Sequence, residues 1–194
     1  MSFTLITGPM FAGKSTYLLK EIKRIKDAKE EVLVICHSAD NRYGKGLISH
    51  NGDSYNDVIS CSSFEEAFAK HRLKLLTFRN IVIDELQFFP DAYNNIVNLV
   101  DKFKTNVIAG GLSGDFERKP MGDIEKLSAF ADYRINIYAN CRICGNMAPF
   151  SRRICESKET FLPGGSDKYI PTCRKCYLLD KNQIIELMCN NVSY

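Results

Sequence analysis

Long apolar runs are missing from this 194-residue chain. None approaches the ~20 consecutive apolar residues of a membrane-spanning helix, so no membrane partner is expected. Excess charge of either sign is missing too. The 26 Lys and Arg against 23 Asp and Glu leave a formal charge of +3. That balance speaks against an extended nucleic-acid-binding surface, while a local basic cleft for phosphates remains compatible with it. There is no internal repeat and no low-complexity tract. Met1-Ser2-Phe3 runs directly into the first expected strand, so no signal or transit peptide is expected and the chain reads as soluble and cytoplasmic.

What is present is enough for a full core. Hydrophobic residues make up 45% of the sequence, which excludes disorder as the default, and the length suits one domain with at most a small appendage. Short apolar runs alternate with helical patterns, the signature of an α/β fold with a parallel sheet. The pattern predicts strands at Phe3–Thr7, Val32–Cys36, Val58–Ser60, Asn80–Asp84, Asn106–Ala109 and Arg134–Tyr138. It predicts helices at Ser15–Ala28, Ser63–Leu76 and Asp91–Lys104, with Ser62 or Ser63 as the cap of the second. After Asn140 the character changes to cysteine pairs, Gly164-Gly165 and scattered prolines. Two units are therefore expected, residues 1–140 and 141–194. A short helix is expected over Asp180–Asn190, without a role.

Gly8-Pro9-Met10-Phe11-Ala12-Gly13-Lys14-Ser15-Thr16 fits G-x-x-x-x-G-K-[ST], a phosphate-binding turn between a strand and a helix. Glycines let the backbone N–H groups close around phosphates, Lys14 brings a compact charge to the β and γ groups, and the Ser15 hydroxyl is suited to ligate Mg²⁺. The following helix adds its N-terminal dipole. Further on, Ile81-Val82-Ile83 runs into Asp84 and Glu85. Asp84 takes the Mg²⁺ role, and Glu85, expected on the opposite strand face, is free to act as general base. The nucleophile is left open by these residues: water would make an ATPase, a substrate hydroxyl a kinase. Asp84-Glu85-Leu86-Gln87 also resembles the D-E-x-Q box of helicases, although the chain has room for one such domain and little excess charge.

Eight cysteines would suggest disulfides, which a cytosolic setting disfavours. Cys36, Cys61, Cys155 and Cys189 are scattered, whereas Cys141-x2-Cys144 and Cys173-x2-Cys176 form two knuckles with 28 residues between them. Four thiolates would complete a closed, structural Zn²⁺ shell. A redox pair, an Fe–S cluster and plain buried thiols are the alternatives. The tethered loop carries Arg152, Arg153 and Gly164-Gly165-Ser166-Asp167-Lys168-Tyr169, and suits either a lid over a substrate or a zinc ribbon for nucleic acid or protein.

Taken in order, these motifs resemble the type II thymidine kinases, the cytosolic eukaryotic, bacterial and poxviral form. The resemblance runs from Leu5 to Tyr177 through the phosphate loop, Asp40-Asn41-Arg42-Tyr43, Asp84 to Asp91, Phe116-Glu117-Arg118-Lys119-Pro120, Gly164 to Tyr169, and Cys173-Arg174-Lys175-Cys176-Tyr177. It implies a RecA-like P-loop domain, a small zinc-bound lasso domain, and transfer of a phosphoryl group from ATP to thymidine. Glu85 then matches the general base, Arg153 an arginine near the 5′-oxygen, Arg42 an arginine at the phosphates, and Asp40 an assistant to Mg²⁺. Met10, Phe88, Leu112, Phe116, Ser151 and Tyr169 match the thymidine-binding positions, although Phe88, Leu112 and Phe116 read equally as core. A homotetramer and feedback inhibition by dTTP are also implied. Leu86, Ser151 and Pro163 depart from the family pattern and are expected to adjoin the base pocket, touching pyrimidine selectivity. The competing reading is a small zinc-containing P-loop ATPase acting on nucleic acid.

Overall fold

The structure, a computed structural model, describes residues 1–39, 46–48, 52–157, 159, 162–180 and 183–184. Its elements in chain order begin with β1 (Ser2–Gly8), α1 (Lys14–Asp27), β2 (Val32–His37), β3 (Leu47–Ile48), β4 (Ser54–Tyr55) and β5 (Val58–Cys61). Then come α2 (Phe64–Thr77), β6 (Asn80–Asp84), α3 (Ala92–Val97), β7 (Asn106–Leu112), α4 (Ile124–Phe130) and β8 (Tyr133–Asn136). The last are β9 (Ala139–Asn140), β10 (Met147–Ala148), β11 (Phe150–Arg153), β12 (Tyr169–Thr172) and α5 (Arg174–Tyr177).

Six strands form one sheet in the order β5-β2-β6-β7-β1-β8, with every neighbouring pair parallel. All six predicted strands are in it. Alternation along β6 shows how the layers are fixed: Ile81 and Ile83 enter a core with α2, α3 and α4, while Val82 joins Leu18, Ile22 and Ile25 of α1 on the other face. Fully buried Phe3, Phe64 and Phe89 anchor the first core, each contributing about 1.5–3 kcal/mol of burial.

The helices differ from expectation in detail. Ser63 is the cap of α2: its hydroxyl accepts from the Glu66 N–H at 3.1 Å, while the Glu66 carboxylate reaches back to the Ser62 N–H at 2.7 Å. The helix expected over Asp91–Lys104 is α-helical only through Val97 and continues as a wider π turn over Asn98–Lys102, with consecutive Leu99 and Val100 both buried. Helix α4 was not anticipated, because its core contacts are Ile124, Leu127 and the half-buried Phe130, and seven residues carry too little periodicity.

Beyond Asn136 the sheet gives way to two small antiparallel ribbons, β9–β10 and β11–β12. A third, separate cluster of Ala139, Cys141, Ile143, Ala148, Ile170 and Cys176 forms there. Of the helix expected over Asp180–Asn190, only Gln183 and Ile184 are described as helical, and the rest lies outside the described residues. Among the described residues no helix is long and apolar enough to cross a membrane.

Candidate active site

The carboxyl ends of β1, β6 and β7 meet at one edge of the sheet, and the loop after β1 carries the phosphate-binding motif. Gly13 closes that loop at φ +88°, a left-handed conformation that a side chain would strain, and hands the chain to α1. Lys14 is buried, and its Nζ donates to the Gly8 and Pro9 carbonyls at 3.2 and 2.8 Å. The ammonium is thus parked on loop carbonyls that a bound phosphate can replace. Ser15, one residue on, donates to Asp84 Oδ2 at 2.9 Å. That contact follows from strand alternation, since Asp84 lies two residues beyond Val82 and so on the α1 face.

Asp84 is 4% exposed. Burial pushes its carboxyl up to about 7, and the neighbouring Glu85 charge pushes the same way, against the Ser15 hydroxyl, the Glu85 N–H and Lys14. A sealed carboxylate beside a serine hydroxyl is an oxygen donor set that suits Mg²⁺.

Glu85 does not sit on a strand face as expected. Strand β6 ends at Asp84, and Glu85 takes a left-handed conformation at φ 55° that turns the chain into a tight turn over Leu86–Phe88. A non-glycine residue there is costly, by about 1–2 kcal/mol, and such strain clusters at functional sites. The turn separates the next residues cleanly. Leu86 goes into the core at 1% exposure and does not line the cleft, so its departure from the family pattern is a packing change. Phe88 faces the cleft, whereas Phe89 is fully buried.

The cleft is open to solvent on one side. Lys14, Ser15 and Glu85 line it. Met10, Phe88, Leu112, Phe116, Ser151 and Tyr169 all line the same cleft. Phe88, Leu112 and Phe116 are only half-buried, so they are walls and not sealed core. Sequence reasoning missed Ile48, Asp115 and Met121, which also line it. Asp115 had a local signal in its turn: one carboxylate oxygen accepts from the Glu117 and Lys119 N–H groups, both at 2.8 Å, fixing the loop that presents Phe116.

The segment from β11 to β12 closes the cleft from above. Ser151 is buried and its hydroxyl accepts from the Met10 N–H at 2.9 Å, tying this ribbon to the phosphate loop. Leu162, Pro163 and Gly164 contribute the rim. Arg153 is not among the lining residues. Its guanidinium lies 3.6 Å from the Phe116 ring centroid, donates to the Ser157 carbonyl at 3.0 Å and to the Tyr169 hydroxyl at 2.6 Å, and also holds the Glu159 carbonyl. The Tyr169 hydroxyl passes the chain on to the Leu162 carbonyl at 3.0 Å. Arg153 therefore braces the loop. Asp40 and Arg42 lie outside the described residues.

The four paired cysteines converge, with all their Sγ atoms within 4.8 Å of one another and Cys144 and Cys173 at 3.6 Å. Tetrahedral Zn²⁺ with bonds of about 2.3 Å would space its sulfurs by roughly 3.8 Å, so the cluster fits the ion. Burial opposes ionisation of Cys141, but N–H groups of Cys173, Cys144 and Ile143 outweigh it and bring that thiol down to about 7. Cys176 is pushed up, first by burial and then by the surrounding sulfurs.

Residues 1–177 match the sequence model of the family described as thymidine kinase. The chain is 39% identical over 184 residues to thymidine kinase 1 of Dictyostelium discoideum, a match covering 92% of this chain and 78% of that protein. It is 40% identical over 181 residues to the thymidine kinase of Yaba monkey tumor virus, covering 92% and 95%. To the thymidine kinase of vaccinia virus (strain Western Reserve) it is 36% identical over 177 residues, covering 90% and 95%.

Proposed function

The chain belongs to the thymidine kinase family, and from that membership and the cleft we infer that it transfers the γ-phosphoryl group of ATP to the 5′-hydroxyl of thymidine. One observation carries the reading: Lys14, Ser15 and Glu85 open into the same cleft as Phe88, Leu112 and Phe116. A phosphate end and an apolar, ring-lined end within one enclosure suit a nucleoside whose hydroxyl must meet a triphosphate in line.

Residues 8–16 cradle the phosphates, and Lys14 exchanges its loop carbonyls for the β and γ oxygens. Ser15 and Asp84 are the ligands we assign to Mg²⁺, with Asp40 assisting and Arg42 approaching the phosphates. The ion, when bound with ATP, would supply positive charge that offsets the charge on the phosphates. Glu85 accepts the proton of the 5′-hydroxyl as that oxygen attacks. Met10, Phe88, Leu112, Phe116, Ser151 and Tyr169 enclose the nucleoside. Arg153 reaches the transferring group only by giving up the loop carbonyls it holds, and in its braced position it shapes the wall through Phe116 and Tyr169.

We assign residues 1–140 to the catalytic unit and 141–194 to a lasso unit stapled by structural Zn²⁺. A homotetramer in the cytoplasm, inhibited by dTTP, completes the reading. Nothing in the site favours an ATPase driven by nucleic acid.

The test is ATP turnover with Mg²⁺ against thymidine, deoxyuridine, deoxycytidine, dTMP, AMP and single-stranded DNA. Formation of dTMP from thymidine is expected. Turnover only with DNA would replace the reading by the nucleic-acid ATPase.

A further inference from the structure

One buried polar side chain at the site has no part in the chemistry above. Gln87 is 5% exposed, and both ends of its amide are used. Its Oε1 accepts from the Leu112 N–H at 2.9 Å, and its amide NH₂ donates to Glu85 Oε2. The orientation of the amide is not arbitrary. A backbone N–H can only donate, so the Gln87 oxygen must face Leu112 and the NH₂ must face the carboxylate.

The backbone holds Gln87 in that place. The Phe88 N–H donates to the Glu85 carbonyl at 3.1 Å, closing the turn that folds Gln87 back over Glu85. Gly122, at φ +53°, lies so close that a Cβ there would stand 2.5 Å from the Gln87 carbonyl oxygen. Leu112 is itself a wall of the nucleoside cleft. One amide therefore joins the group that takes the proton to the strand that lines the substrate.

We propose that Gln87 is a positioning residue for the phosphoryl transfer: it aims the Glu85 carboxylate at the 5′-hydroxyl and fixes that aim to the β7 wall of the nucleoside cleft. A carboxylate turning about the three rotatable bonds of a glutamate side chain would lose the near-attack geometry, and misplacement by about 1 Å costs on the order of 10²-fold. The inference rests on Glu85 being the general base.

Gln87→Met and Gln87→Glu should each lower kcat roughly 10- to 100-fold while KM for ATP stays within about twofold. Gln87→Glu keeps an acceptor for the Leu112 N–H, so a residue that only supported that strand would tolerate it. It also gives a readout if Gln87→Met fails to fold. Both changes, repeated on Glu85→Gln, should cost nothing further, because a positioning residue has no effect once its base is gone. Full activity in Gln87→Glu, or the same fold-loss in both backgrounds, overturns the proposal. Glu85→Gln alone separates the two readings: turnover within tenfold of the parent would remove Glu85 as base, whatever Gln87 does.

Discussion

Asp84 and Glu85 are adjacent in sequence, yet one faces the α1 side of the sheet and the other leaves the sheet through a left-handed turn. On the proposed reading, that divergence would let one carboxylate serve a metal and the other a proton. It has a consequence for pH. Asp84 has its carboxyl raised from 3.8 to about 7 by burial and by Glu85. A raised carboxyl favours the fold in its protonated form. Its contribution is therefore complete below the unfolded value and is lost as pH rises through about 7. In EDTA, the melting temperature of Asp84→Asn should gain on that of the parent between about pH 5 and about pH 8. The Mg²⁺-dependent stabilisation of the ADP complex should grow over the same window, since the ion needs the ionised carboxylate. A pH-independent difference between the two proteins would mean that Asp84 is solvated or already ionised in the fold.

Among the elements, the ribbon from β11 to β12 does the most with the least secondary structure. It is held at its base by the cysteine cluster, at its tip by Arg153 and Tyr169, and against the phosphate loop by Ser151. Cys173→Ser should release the base, raising KM for thymidine by more than about tenfold while ADP affinity changes less than about threefold. Equal losses for both ligands would make the cysteine cluster a support of the whole fold. The elements also show what was legible beforehand. Strand β6 and helix α1 could be placed because apolar period and end signals coincide, as in Ile81-Val82-Ile83 before Asp84 and the Gly13-Lys14 junction. Paired cysteines declared their own cluster. Three things were hidden: one is a left-handed turn at a residue that is not glycine, and two depend on contacts distant in sequence. Glu85 leaves the strand because of a turn with no glycine, Leu86 belongs to a core built by α4, and Arg153 is taken up by Phe116, which is 37 residues away in the chain.

At the scale of the whole molecule, the cleft lies between two parts joined by Met10 on Ser151, by the Tyr177 hydroxyl donating to the Phe116 carbonyl at 2.6 Å, and by Arg153 on the Phe116 ring and Arg118 on the Tyr177 ring. A ligand that spans the cleft adds contacts to both halves at once, and its stabilisation should exceed that of ligands confined to one end. Any ligand that binds only the folded state stabilises by about 2.7 kcal/mol at a hundredfold excess over its Kd. On the proposed reading thymidine would reach the ring-lined part of the cleft and ADP the phosphate loop, and dTTP, with its base among Phe88, Leu112 and Phe116, would extend its phosphates toward Lys14. Thermal shifts in Mg²⁺ should therefore rank dTTP above thymidine in the parent protein. In Lys14→Ala the ADP shift should vanish and the thymidine shift persist, because the proposed reading assigns Lys14 to the phosphates. The dTTP shift should then shrink to that of thymidine. If Lys14→Ala leaves the dTTP shift unchanged, dTTP does not reach the donor site and the proposed mode of feedback fails. If the thymidine shift disappears as well, the two ends of the cleft form a single cooperative site.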